Sequence, residues 1–111
     1  MTISLNKEDN RCVITIDGEI DASSSIELDN AISQSIKQGE RKIVVDCAKL
    51  KYISSAGLGV FMSYLEDFEN QGIKISLYNM DEKVKSVFEI LGLVDLISIV
   101  HSKEEAITVV A

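Results

Sequence analysis

Residues 43–72 read IVVDCAKLKYISSAGLGVFMSYLEDFENQG, and this stretch decides the fold. Its first five residues form an almost continuous apolar run, which is typical of an interior strand covered on both faces. From Leu58 onwards apolar residues recur at helical spacing, and Gly72 stands where the helix would end. We expect the helix to bury one stripe of residues: Phe61, Met62, Leu65 and Phe68. Val60 and Tyr64 lie off that stripe and are candidates for an interface.

The residues before this stretch predict a β-hairpin followed by a helix. Residues 3–5 alternate in polarity and residues 12–16 are rich in β-branched side chains, so both runs are expected to be strands. The segment 18–21 is expected to break the second strand. Ser24 and Glu27 have the spacing of a capping box, and a helix with apolar residues at helical spacing follows, ending near Gly39.

The residues after it continue the alternation of strands and helices. A strand is expected over 73–77, and a helix begins at Asp81 and ends at Gly92, with four residues facing inward: Val84, Val87, Phe88 and Leu91. Another strand, 96–100, precedes a short C-terminal helix that starts with a second capping box at Ser102. The order β-β-α-β-α-β-α-β-α predicts an α/β fold, a mixed β-sheet with packed helices in a single domain over 1–111.

The composition of the chain narrows the range of functions that it could have. The 111 residues include 11 Lys and Arg against 18 Asp and Glu, a net charge of −7. This balance disfavours direct nucleic-acid binding and adhesion to anionic membranes, both of which need cationic side chains. No apolar run approaches the roughly 20 residues of a membrane helix, so no membrane insertion is expected. The N-terminus lacks the features of a signal peptide, which makes the cytoplasm the expected compartment.

No residue pattern predicts catalysis, a metal or a cofactor. Cys12 and Cys47 lie in strand-like runs and are expected to be buried reduced thiols, and no zinc-ligand spacing is present. A serine nucleophile needs a base, yet the one imidazole, His101, is in a loop. The pair Gly57 and Gly59 lacks the third glycine of a dinucleotide motif, so close helix packing explains these small residues better. The expectation is a protein that is not an enzyme.

Ser54 and Ser55 are the candidate functional residues because they stand between a strand-like run and an amphipathic helix. One role is N-capping, in which a hydroxyl accepts a backbone N–H bond. The other is phosphorylation, since a helix N-terminus carries free N–H groups and a partial positive charge that accommodate a phosphate. The two roles are compatible, and both remain open for this pair of residues.

Three motifs resemble those of the STAS domain family, the bacterial anti-anti-sigma factors or anti-sigma factor antagonists. Gly18-Glu19-Ile20-Asp21 is similar to the family's G-E-[IL]-D turn. The run LKYISSAGLG at 50–59 resembles its central motif Y-[IM]-D-S-[ST]-G-[LV]-G. Residues 84–93 resemble its third helix. The resemblance covers essentially the whole chain and implies a single STAS domain of STAS-type fold.

The resemblance implies a binding module that switches partners. The unphosphorylated protein would bind an anti-sigma factor that is also a serine kinase, and so release a sigma factor. Phosphorylation would end that binding, and a PP2C-type serine phosphatase would reset it. By position the phosphoacceptor is Ser55, with Ser54 as a rival because it replaces the usual acidic residue.

The motif positions around the acceptor also imply partner contacts, for Asp21, Ser54, Ala56 and Gly57. For Asp21 a purely structural role, capping the first helix, is an equal alternative. Ala56 stands where the family usually has a hydroxyl residue. A second function is also open: a non-switching STAS subunit of a larger complex, such as a lipid-transport ATPase.

Overall fold

A computed structural model describes residues 1–111 and contains one five-stranded sheet and four α-helices. The elements in chain order are β1 (Thr2–Glu8), β2 (Arg11–Ile20), α1 (Ser25–Lys37), β3 (Lys42–Ile53), α2 (Ser55–Asn70), β4 (Lys74–Tyr78), α3 (Glu82–Ile90), β5 (Ser98–Val100) and α4 (Lys103–Val110). The strands lie side by side in the order β1-β2-β3-β4-β5. The β1–β2 pair is antiparallel and the other pairs are parallel. The predicted element order and mixed sheet are confirmed.

Side-chain alternation along β2 and β3 places helices on both faces of the sheet. Cys12, Ile14 and Ile16 of β2 face the larger core, which the apolar stripes of α1, α2 and α3 complete. Val13 and Val44 point to the opposite face and join a smaller cluster with Tyr78 and two residues of α4, Ala106 and Val110. The apolar run at the start of β3 is therefore buried on both sides, as its composition predicts.

Two strands are longer than the sequence indicates. β2 continues through Gly18 to Ile20, so the strand break expected at 18–21 is wrong. Gly18 sustains the strand with φ +119°, a conformation that side chains with a Cβ rarely adopt. β3 continues to Ile53, and the pairing between the two strands shifts register twice to accommodate the extra residues. The extension matters because it carries β3 directly to Ser54.

The predicted core contains two errors. Phe61 and Phe68 are buried, but Met62 is 49% exposed because it lies about 100° around α2 from Phe61, beyond the arc that meets the sheet. Leu91 is 52% exposed because the helix has ended there and the chain is turning towards Gly92. Val60 and Tyr64 are half-buried against the core rather than free at the surface.

The last strand is shorter than expected. Residues 93–95 form a single 3₁₀ turn, and β5 spans only Ser98–Val100. Leu96 lies outside the strand and is 61% exposed. Gly92, with φ +73°, ends α3 in the left-handed conformation typical of a helix C-terminus, as the sequence predicts.

Both cysteines are buried and unbonded to each other, in agreement with the sequence. Burial, reinforced by the nearby Asp46 carboxylate, raises the pKa of the Cys47 thiol to about 12. Burial likewise raises the pKa of Cys12. Neither thiol has the lowered pKa of a reactive cysteine. None of the four helices combines the length and the apolar character needed to cross a bilayer.

Candidate functional site at the start of α2

The site forms where the C-terminal ends of β2 and β3 meet. Ile20 and Ile53 are the last paired residues of these strands. The chain then turns, and the Ser54 N–H donates a hydrogen bond of 2.8 Å to the Ile20 carbonyl oxygen. This bond holds the start of α2 beside the loop that leads to α1. Asp21, which directly follows Ile20, is thus placed next to the Ser54–Ser55 pair.

The two serines have different environments. Ser54 is the N-cap of α2, with an extended backbone (φ −84°, ψ 170°), and its Oγ accepts a 3.2 Å hydrogen bond from the Gly57 N–H. Ser55 is the first helical residue and its side chain is exposed. The predicted capping role is therefore confirmed for Ser54, while the Ser55 hydroxyl lies outside the cap and faces solvent.

Gly57 allows α2 to start close to the sheet. A Cβ at this position would lie 2.8 Å from Ile20 Cγ2 and 2.8 Å from Ile53 Cγ1, both well inside van der Waals contact. The close packing expected from the sequence is confirmed. Gly57 is buried and shapes the site from beneath, and its assignment as a partner-contacting residue stays a prediction. Ala56, by contrast, is exposed beside Ser55.

Asp21 organises the turn that precedes α1. Its Oδ1 accepts hydrogen bonds from the Ser24 N–H (2.8 Å), the Ser23 hydroxyl (2.9 Å) and the Ser24 hydroxyl (2.9 Å). These donors, led by the Ser24 N–H, lower the pKa of Asp21 to about 2 because they stabilise the ionised form. The carboxylate is thus a fixed negative charge at the protein surface at neutral pH.

The capping box predicted for α1 is not formed. Ser24 has helical backbone angles and its side chain caps no helical N–H group. Its hydroxyl instead accepts from the Asp21 N–H, and its one proton lies between the Asp21 carboxylate and the more distant Glu19 carbonyl oxygen. The cap-like function before α1 belongs to Asp21, because its carboxylate is a stronger acceptor than a hydroxyl. At α4 the Ser102 hydroxyl does accept from the Glu105 N–H, as predicted.

The start of α2 differs in charge from the other helix starts. α1, α3 and α4 each carry an acidic residue in the first turn, whereas α2 has none. The partial positive charge at its N-terminus is therefore not neutralised by its own side chains. The helix dipole would favour an added anion at Ser55, and the ionised Asp21 beside the serine pair would oppose it.

An exposed face of α2 runs away from Ser55. Ser55, Gly59 and Met62 are spaced by four and three residues, which places them on one side of the helix, and all three are exposed. A Cβ at Gly59 would meet nothing within 4 Å, so the fold itself does not require a glycine there. Helical spacing predicts Met62 in the core, and for that reason this face is not evident from the apolar pattern alone. The spacing of Gly59 and Met62 from Ser55 is the sequence signal that indicates this face.

Neither Asp21 nor His101 is placed to act as a base for the two serines. Asp21, the titratable residue next to the serines, has three donors on one oxygen and a depressed pKa, which makes it a poor proton acceptor. His101 follows β5, which is two strands away from β3 in the sheet. The geometry presents an exposed serine hydroxyl, that of Ser55, at the start of α2.

Two relatives with similar sequences are both described as antagonists of anti-sigma factors. BtrV of Bordetella bronchiseptica, a candidate anti-sigma factor antagonist, is 27% identical over 106 residues, covering 96% of this chain and 91% of that protein. The anti-sigma-B factor antagonist of Staphylococcus aureus is 25% identical over 104 residues, covering 94% and 96%. In both cases the two proteins align over nearly their full lengths.

Solved structures share the fold. The phosphorylated form of SpoIIAA, a Bacillus cell fate determinant, superimposes with a TM-score of 0.72 and 25% identity over 96% of this chain and 97% of that one. An anti-sigma factor antagonist from Mycobacterium paratuberculosis gives a TM-score of 0.88 at 19% identity, over 98% and 92%. The sequence matches the STAS domain family over residues 2–106. The chain therefore belongs to the STAS domain family.

Proposed function

We propose that this protein is an anti-sigma factor antagonist that acts by partner switching in the cytoplasm. Its unphosphorylated form binds an anti-sigma factor that is also a serine kinase, and this binding releases a sigma factor. Phosphorylation of Ser55 ends the binding. The observation that carries the proposal is the exposed Ser55 hydroxyl at the start of α2, beside a serine whose oxygen already caps the helix. The descriptions of the relatives from B. bronchiseptica and S. aureus support it.

Ser55 is a better acceptor than Ser54 for steric and energetic reasons. Phosphorylating Ser54 would replace the oxygen that accepts the Gly57 N–H bond and would cost the helix its cap. Ser54 is also half-buried, whereas Ser55 is exposed. The family usually has an acidic residue directly before the acceptor, and this chain has Ser54 there. The helix is still capped, because the Ser54 hydroxyl accepts the Gly57 N–H bond.

A phosphate on Ser55 would change the surface and leave the fold intact. It adds about −1.5 to −2 charges at a helix N-terminus that lacks acidic side chains, where the helix dipole favours an anion. A partner docked on this surface would have to desolvate that charge or oppose it with its own groups. The protein would stay folded while the affinity for the kinase falls.

Asp21, Ala56 and Ser54 form the partner-facing surface around Ser55. Asp21 is exposed, ionised and held in one orientation by its three donors, so it suits a cationic group of the partner. Its structural role before α1 and a role in docking are compatible, since its second carboxylate oxygen makes none of those three bonds. Ala56 offers little bulk next to the acceptor, which lets a kinase approach closely.

The cycle is completed by a PP2C-type serine phosphatase that removes the phosphate from Ser55. A role as a transport subunit gains no support from the site, and the curated relatives described above are antagonists of anti-sigma factors. The protein's own net charge of −7 fits action through protein partners rather than through DNA.

The test is to incubate the protein with its cognate kinase and ATP and to map the modification by mass spectrometry. The expected result is one phosphate on Ser55, retained in Ser54→Ala and lost in Ser55→Ala. Phosphate on neither serine would refute the proposal. Phosphate on Ser54 alone would keep the switch and move its site by one residue.

A further inference from the structure

A second feature of the same end of the molecule is a stretch of β3 that has no neighbouring strand on one side. β4 pairs with β3 only over Lys42–Asp46. Beyond that point β3 continues to Ile53 and pairs with β2 alone. The Ala48 N–H donates to the Asp46 side chain instead of to a strand. The C-terminal half of β3 is therefore a sheet edge without a partner strand, and α3 packs beside it.

A cleft lies between this edge and α3. Its walls are Lys51, Tyr52 and Ile53 on one side and Lys83, Val84 and Val87 on the other, and we call it the β3–α3 cleft. Ile53 and Val84 are buried and form its apolar floor, while Tyr52 is 48% exposed at its side. The volume is about 190 Å³. Since small-molecule sites usually enclose about 300–1,000 Å³, this cleft suits a single apolar side chain.

The rim of the cleft is cationic although the protein is acidic overall. Lys51 and Lys83 are both exposed, and neither takes part in the three ion pairs of the structure, which use Lys7, Arg11 and Lys103. No acidic residue lines the cleft. Two unpaired lysines around an apolar floor complement an apolar residue that is flanked by carboxylates.

The cleft lies within reach of a partner that covers Ser55. Tyr52 precedes Ser55 by three residues, so their Cα atoms are at most about 11 Å apart. A standard interface covers about 800 Å² of each partner, which is wide enough to include both features. The two lie on the same end of the molecule, because β3 runs directly into α2.

We propose that the β3–α3 cleft is a second docking point for the anti-sigma kinase, occupied by an apolar side chain on an acidic segment of that partner. This inference rests on the proposed function and adds to it. Docking at Ser55 is controlled by phosphorylation. Docking at the cleft is independent of phosphorylation, and it selects the kinase that carries a matching acidic segment.

The test measures the affinity of the unphosphorylated protein for the cognate kinase by titration calorimetry. The double variant Lys51→Glu/Lys83→Glu is compared with Lys37→Glu/Arg41→Glu, which makes the same charge change at the opposite end of β3. Tyr52→Ala probes the cleft without changing the charge. We expect the cleft double variant to lose about tenfold in affinity or more, Tyr52→Ala about fivefold, and the control about twofold at most. Thermal unfolding checks that all variants remain folded.

The possible outcomes separate this inference from the proposed function. If the cleft variants bind the kinase like wild type while Ser55→Asp does not, the cleft proposal is wrong and the switch stands. Equal losses in the cleft double variant and the control would mean a general effect of net charge, which also overturns the cleft. If the cleft variants instead abolish self-association in sedimentation experiments, the occupant is a second copy of this chain. A wild-type protein that does not bind the kinase at all refutes the proposed function itself.

Discussion

Gly57 and Gly59, two residues apart in α2, differ in what surrounds them. Beneath Gly57 lie Ile20 and Ile53, whose branched side chains are stiff and buried. Beside Gly59 there is open space. One glycine is thus required by packing in the folded chain, and the other is exposed on the face that begins at Ser55.

The two alanine variants should therefore change stability in opposite directions. Gly57→Ala is expected to destabilise the fold by about 1–3 kcal/mol, because its methyl group overpacks the core. Gly59→Ala is expected to stabilise it by about 0.5–1 kcal/mol, because alanine favours the helix and meets no neighbour. Urea unfolding of both variants measures the difference. A stabilised Gly57→Ala would contradict the close approach of α2 to the strand ends.

The different roles of Ser54 and Ser55 give a second matched pair of variants. Ser54→Ala removes the acceptor for the Gly57 N–H and should lower the free energy of unfolding by about 1 kcal/mol. Ser55→Ala removes a hydroxyl outside the cap and should leave stability nearly unchanged while blocking modification. Denaturant unfolding reads out the first effect and phosphate mapping the second. Equal losses of stability in both variants would mean that the cap is shared.

At the level of elements, the turn from β2 into α1 is organised by hydrogen bonds to the Asp21 carboxylate. The pKa of Asp21 is lowered from its ordinary value of 3.8 to about 2 by the bonds from Ser23 and Ser24. A folded-state pKa below the unfolded value means that this stabilisation is complete above about pH 4 and is lost as the pH falls towards 2.

We expect amides of the β2–α1 turn to lose protection in hydrogen exchange between about pH 4 and pH 2, before the sheet does. In Asp21→Asn the same amides should be less protected at neutral pH and show no such transition. A turn that opens in this acid range equally in the wild type and in Asp21→Asn would show that another group controls it.

The elements were largely predictable because hydrophobic periodicity and glycine positions are local signals. The strand–helix order follows from them, and so does the end of α3 at Gly92. The lengths of β2 and β3 did not follow, because Gly18 extends a strand here with a positive φ and bulges absorb the change of register. The exposure of Met62 depends on how α2 is rotated against the sheet, a tertiary property that helical spacing alone does not give.

Of the candidate site, the sequence predicts the structural roles of Ser54 and Asp21, which the hydrogen bonds confirm, while Ser55 as the phosphoacceptor stays a prediction. A serine pair before an amphipathic helix indicates a helix start, and the resemblance singled out Ser55. The sequence offers two caps for α1, Ser24 and Asp21, and the structure uses Asp21 because a carboxylate preceding the helix competes successfully for the donors. The cleft beside α3 arises from the unequal lengths of β3 and β4, which only the assembled sheet reveals.

For the whole molecule, phosphorylation of Ser55 is expected to change the surface and to leave the shape unchanged. The core continues on both faces of the sheet, and Ser55 stands outside it on an exposed helix start. A modification there has no buried group to displace. Its effect is therefore expected in the binding of a partner, with little change in the thermal unfolding of the protein alone.

The most direct measurement is the affinity of the cognate anti-sigma kinase for the unmodified protein and for the protein phosphorylated on Ser55. We expect tight binding before modification and a loss of about a hundredfold or more after it, because the added charge lies in the docked surface. The melting temperature should be similar for both forms. Equal affinities of the two forms for the kinase would contradict the central claim that Ser55 controls docking.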